Sequence, residues 1–110
     1  MKFMSNYYKL GEDGQTPVRL KGVGDELTAW KQDRTVKKDK IVSHGEDITV
    51  STVFLAIDHS YGGGPPILFE TMIFGGERDG YQDRYATWEE ALEGHGVALA
   101  LAKGLTLENL

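Results

Sequence analysis

Two stretches of this 110-residue chain bring together residue types that can do chemistry. The first is Asp58-His59-Ser60-Tyr61-Gly62-Gly63-Gly64-Pro65-Pro66. Consecutive glycines expose backbone amides and let a ligand approach closely, and two prolines stiffen the exit. Amides so arranged bind phosphate, but the Gly-x-x-x-x-Gly-Lys-Ser/Thr spacing is absent and no helix follows to add its dipole. A plain hairpin needing positive φ at several positions accounts for the same residues, and is the reading they favour. Asp58 and His59 also invite comparison with Glu70, since a histidine beside a carboxylate is the minimum for acid–base work. No Ser or Cys nucleophile stands close by, and one histidine with two carboxylates is an incomplete metal shell. Glu70 sits in an apolar strand, where an ionised carboxylate needs a partner. Structural pairing with Arg84 or His95 is therefore expected, with no catalytic role, no metal and no cofactor.

The second stretch, GERDGYQDRY, interleaves Arg78 and Arg84 with Tyr81 and Tyr85. Guanidinium groups among aromatics are common at protein interfaces and can also stack a nucleobase. The candidate binding residues are thus Asp58, His59, Tyr61, Gly62, Gly63, Gly64, Arg78, Tyr81, Arg84 and Tyr85. Glu70 and His95 are candidates for polar pairing inside the fold. His95 falls on the apolar face of a predicted helix, where a bond to a backbone carbonyl or to Glu70 would satisfy it.

The elements that must position these groups are legible from pattern. Tyr7 to Leu10 and Val18 to Leu20 flank the turn-rich GEDGQTP and predict a small hairpin. Asp25 can cap a short helical turn carrying Leu27 and Trp30. Arg34 to Val42 is charged but extended, as an edge strand guarded by lysines would be. His44 to Asp47 turns the chain into ITVSTVFLAID, residues 48–58, the strongest strand, apolar on both faces toward its end and so expected to be covered on both sides. ILFETMIFG, 67–75, is a second such strand, and the short connection predicts antiparallel pairing with Leu55 opposite Glu70 and Asp58 opposite Ile67. Tyr81 to Ala86 is a short strand. Thr87 then caps a helix whose Glu90 completes a capping box. Trp88, Ala91, Leu92, His95, Leu99 and Ala102 share one face of it, and Gly94 and Gly96 imply close packing on the sheet or a kink. The expectation is an α+β domain over residues 1–110: an antiparallel sheet of about four to six strands against a long C-terminal helix, plus a short N-terminal helical turn.

Composition narrows the function. Lys plus Arg is 12 and Asp plus Glu is 17, giving a net charge of −5, and there is no cysteine to build a disulfide frame, a thiolate metal site or a thiol nucleophile. Residues 1–57 carry nine basic and eight acidic groups, a net of +1, whereas residues 58–110 carry three and nine, a net of −6. The one basic cluster, Arg34, Lys37, Lys38 and Lys40, is interrupted by Asp39, so nucleic-acid binding is disfavoured. MKFMSNYYKL has no long apolar stretch of a secretory signal and no run of about 18 apolar residues exists, which predicts a cytoplasmic protein without membrane contact. Glycine is the outlier, 14 of 110, and six of the 14 fall within residues 62–80. The apolar residues of the last helix and of LTLENL beyond it exceed what one helix buries, which predicts a homo-oligomer.

The strings VSTVFLAIDHSYGGGPPILFETMIFGG and GYQDRYATWEEALEGH, in that order, resemble those of a family of small uncharacterised proteins encoded by bacteriophages and prophages. The likeness covers residues 50–96 well and the N-terminal YY…DG…PV segment more loosely. It implies a phage-encoded accessory protein at work in the bacterial cytoplasm, and carries no enzymatic activity with it. Small phage proteins of this kind act by binding, which implies a host protein or a nucleotide-type ligand as partner. The expected function is inhibition of a host or defence factor. Sequestration of a nucleotide-type defence signal by an oligomer, and a role in the virion or its assembly, are the alternatives.

Overall fold

The computed structural model describes residues 7–21, 32–60 and 64–105. The predicted N-terminal helical turn at Asp25 to Trp30, and the candidates Tyr61, Gly62 and Gly63, lie outside them. Among the described residues six strands and one helix follow in order: β1 Tyr8–Leu10, β2 Pro17–Arg19, β3 Thr35–Ser43, β4 Glu46–Phe54, β5 Phe69–Phe74, β6 Gln82–Tyr85 and α1 Trp88–Ala102. β1 and β2 make a two-stranded hairpin, and β3-β4-β5-β6 make a four-stranded antiparallel sheet in sequence order. The fold is the α+β arrangement expected, with the helix laid across one face of the larger sheet.

Alternation decides which residues meet the helix. Ile48, Val50, Thr52 and Phe54 of β4 and Phe69, Thr71 and Ile73 of β5 are buried toward α1. Thr49, Ser51 and Val53 turn to the other face, as do Glu70, Met72 and Phe74. The helix covers one side of the sheet, and among the described residues no second element covers the other. The apolar odd positions that suggested a second cover, Leu55 and Ile57, lie beyond the end of β4, where Ile57 bridges to Tyr7 and remains 42% exposed.

β4 ends at Phe54 rather than running to Asp58, because Ala56 takes a left-handed φ of 67° and turns the chain aside. Its carbonyl accepts from the Tyr8 amide at 2.7 Å, so the N-terminal hairpin docks where the strand leaves the sheet. The detour also shifts the register. Val53, not Leu55, stands opposite Glu70, two residues from the symmetric closure, and the same face is kept.

α1 opens as its sequence requires. The Thr87 hydroxyl accepts from the Glu90 amide at 3.1 Å, and the Glu90 carboxylate accepts from the Thr87 amide at 3.2 Å. Its buried residues are Ala91, His95, Ala98, Leu101 and Ala102, so the inner face is turned away from Leu92, which is 41% exposed. Small side chains bring the helix close to the sheet. A β-carbon at Gly94 would sit 2.1 Å from the Tyr85 ring, whereas one at Gly96 would meet open space. Gly94 is therefore a contact and Gly96 is not.

Candidate functional site

The core divides into two apolar clusters. Tyr8, Leu10, Phe54, Leu68, Phe69 and Ala91 form one, at the start of α1. Ile48, Val50, Ile73, Ala98 and Ala102 form the other, at its end. Between them runs a row of polar side chains, one from each of four elements. The Thr71 and Thr52 hydroxyls are 2.5 Å apart, Thr52 Oγ1 lies 2.6 Å from His95 Nδ1, and His95 Nε2 lies 2.7 Å from Asp39 Oδ2.

The directions of these bonds follow from chemistry. An ionised carboxylate only accepts, so Nε2 carries the proton that Asp39 receives. In the neutral ring Nδ1 then accepts from the Thr52 hydroxyl, and Thr52 in turn accepts from Thr71. Thr52 and Thr71 are 0% exposed and His95 is 1% exposed, while the Asp39 side chain reaches solvent at 35%. The residue types and order are those of a nucleophilic triad: carboxylate, imidazole, hydroxyl. The placement differs from one, since the hydroxyl that would attack is sealed between sheet and helix. What the row does chemically is satisfy three buried polar groups and pin β3 to α1.

Tyr85 borders this row. Its ring lies over Gly94, and burial pushes its phenol above the ordinary value. The Thr71 hydroxyl is near enough to draw that value back somewhat, yet falls outside hydrogen-bonding geometry, leaving the Tyr85 hydroxyl without a partner among the described residues.

The residues singled out from sequence are dispersed around this core. Glu70 stands on the face away from α1, where its Oε2 accepts from Arg84 Nε at 2.9 Å and from the Gln82 amide group. It is therefore separated by the sheet from His95, whose partners are Thr52 and Asp39 in place of Glu70 or a carbonyl. Asp58 closes the neck of the glycine loop. Its Oδ1 accepts from the Ser60 amide at 2.8 Å and the Ile67 amide at 2.9 Å, and the His59 amide donates to the Ile67 carbonyl at 3.0 Å. Burial alone would raise the Asp58 carboxyl, but those two amides, together with the Ser60 hydroxyl and the neighbouring His59, outweigh it and hold it below the usual range. Gly64 is exposed at the loop's far side.

Arg78, Tyr81, Arg84 and Tyr85 do not converge. Tyr81 packs against the second apolar cluster, with burial pushing its phenol up, and Tyr85 points inward against the helix. Arg84 lies on the open face. Arg78 lines a cavity of about 110 Å³ with Ser43, His44, Glu46 and Leu101, at the end of the sheet where α1 finishes. The glycine loop joins the opposite end of β5, about 17 Å away at 3.4 Å per residue over five steps. Among the described residues no three His, Asp or Glu side chains are grouped to hold a metal. None of their helices is long and apolar enough to cross a membrane.

Asp39, Thr52 and Thr71 were not among the sequence candidates. The pattern carries a signal for Thr52 and Thr71, which with His95 are single polar residues at core positions of β4, β5 and α1, flanked by Val, Ile, Phe or Ala, and none for Asp39. Comparison with models of known protein families, with curated proteins and with solved structures finds no match in any of the three.

Proposed function

We propose that this chain is a phage-encoded accessory protein of the bacterial cytoplasm that acts by binding, occupying a host or defence factor through its surface. Its phage and host parts rest on the resemblance of residues 50–96, and the observation that favours binding over catalysis is the sealing of the Asp39–His95–Thr52–Thr71 row. The hydroxyls beside the imidazole are wholly buried, so the group best suited by type to act on a substrate is spent on holding the fold together. The sheet face away from α1 supports the same reading from the other side. It presents Lys38, Lys40, Val42 and Phe74 to solvent, with Phe74 50% exposed. Self-association belongs to this reading, since Phe74, on the sheet face away from α1, is apolar surface that a second copy would cover.

The experiment is affinity capture from host lysate, with unfolded protein as control, run beside growth of the parent phage with and without the gene. Specific retention of a partner whose loss abolishes the growth effect is expected. Retention of nothing, with no growth effect in any host, overturns the proposal, as does turnover of a small molecule by the purified protein.

A further inference from the structure

β3 is an outer strand of the larger sheet, and among the described residues no strand pairs with its far side. The two-residue turn at His44–Gly45, both at positive φ, fixes which backbone groups face outward. Ser43 and Glu46 flank that turn and exchange bonds, and by the alternation of an antiparallel ladder so do Ile41 with Ile48 and Asp39 with Val50. The N–H and C=O groups of Val42, Lys40 and Lys38 are thereby turned to the open side. Side chains of the same three residues leave on the face away from α1. Asp39 and Ile41 are committed to the helix side, one by its bond to His95 and the other by packing on the second cluster. Val42 is 70% exposed, and among the described residues no ion pair engages Lys37, Lys38 or Lys40.

Charge selects what this edge accepts. A second β3 paired in register would set lysine beside lysine, which disfavours the pair. An acidic strand reverses the sign at each of those positions. We propose that the outer edge of β3 takes up an extended acidic segment of a partner protein as an added antiparallel strand. This inference rests on the binding reading above and names its partner class. Main-chain bonds to Val42, Lys40 and Lys38 supply attachment. The directly opposite side chains, about 5.5 Å away between α-carbons, supply selection. Read along the added strand, the segment is apolar-x-acid-x-acid: an apolar residue beside Val42, then acids beside Lys40 and Lys38. The residue between the acids stands opposite Asp39 and is not itself acidic. The buried row holds Asp39 in place, so the edge is presented in a set register before the partner arrives.

The test is titration of a fluorescein-labelled peptide, TVTETET, followed by anisotropy, with TVTKTKT as control. Saturable binding of the acidic peptide only is expected. Lys38→Glu/Lys40→Glu weakens it by about tenfold or more and turns preference to the lysine peptide. Lys40→Pro removes one outward N–H at an edge position that tolerates proline, and abolishes binding while Lys38 remains. Circular dichroism verifies the fold of each variant, and the charge-reversal pair alone decides if the proline variant does not fold. No saturation at millimolar peptide, or equal binding of both peptides, overturns the inference. So does displacement of the peptide by a single-stranded oligonucleotide. A host partner captured equally by wild type and Lys40→Pro overturns the edge assignment and leaves the binding reading standing, whereas capture of nothing by either overturns that reading itself.

Discussion

His95 Nδ1 lies 2.6 Å from Thr52 Oγ1, joining the middle of the helix to an inner strand of the sheet through one hydrogen bond between buried side chains. Removing the ring takes from the buried Thr52 hydroxyl its bond to the imidazole, and a buried group so left costs about 1–3 kcal/mol, whereas the Asp39 carboxylate reaches solvent and is rehydrated. His95→Leu is expected to destabilise the protein by about 1–3 kcal/mol in urea unfolding. Adding Thr52→Val and Thr71→Val, which replace the hydroxyls by groups of similar shape, recovers most of that loss. A triple variant less stable than His95→Leu would contradict the assignment of this row.

Gly94 and Gly96 separate two reasons for glycine in a helix. Alanine is favoured over glycine by up to about 1 kcal/mol at a helix interior. Gly96→Ala meets open space and is expected to gain that amount, while Gly94→Ala drives its β-carbon into the Tyr85 ring and is expected to lose stability. Thermal unfolding of the two variants reads the opposite signs directly.

Acid loosens the turns that carboxylates hold. Asp13 accepts from the Thr16 hydroxyl and from the Thr16 and Gln15 amides, which lower its carboxyl from 3.8 to about 2. A carboxyl depressed in the folded state stabilises above its unfolded value, and that contribution is lost as pH falls through the folded one. For Asp13 the window runs from about 4 down to about 2. Asp58 behaves with the same sign, its neck bonds loosening below its ordinary value as the carboxyl protonates. Carboxyl carbon shifts in an NMR titration should show Asp13 midway near 2. Asp58→Asn should speed amide exchange at Ser60 and Ile67 at neutral pH.

The capping box at the start of α1 is a local device with a local effect. Thr87→Ala removes the acceptor for the Glu90 amide and is expected to cost about 1 kcal/mol, with the urea slope unchanged.

What the sequence discloses and what it hides divide by range. The turn expected over His44 to Asp47 closes at His44–Gly45, with Glu46 and Asp47 already in β4, and the box at Thr87 and Glu90 forms as its pattern requires; each is written within four residues. The lysine-bearing strand before the turn is an edge, as its charge implies. Ala56 carries no such mark. An alanine at positive φ is held there by the docking of Tyr8, forty-eight positions away, and with it goes the two-residue offset that places Val53 beside Glu70. The row from Asp39 to Thr71 is hidden for the same reason. Its members belong to four elements, and the β-bulge between Thr35 and Lys37 changes the phase of β3 before the strand runs on to Asp39. The dispersal of Tyr81, Arg84 and Tyr85 follows from alternation within and just before β6, which sends neighbouring residues to opposite faces, while Arg78 stands apart in the turn that precedes them.

Amide hydrogen exchange along β3, with and without the acidic peptide, tests most directly the claim that this protein binds through its outer edge. The account predicts new protection at Lys38, Lys40 and Val42, with Asp39, Ile41 and Ser43 unchanged because β4 already holds them. Exchange that is unaltered at Lys38, Lys40 and Val42 in the presence of saturating peptide would contradict it.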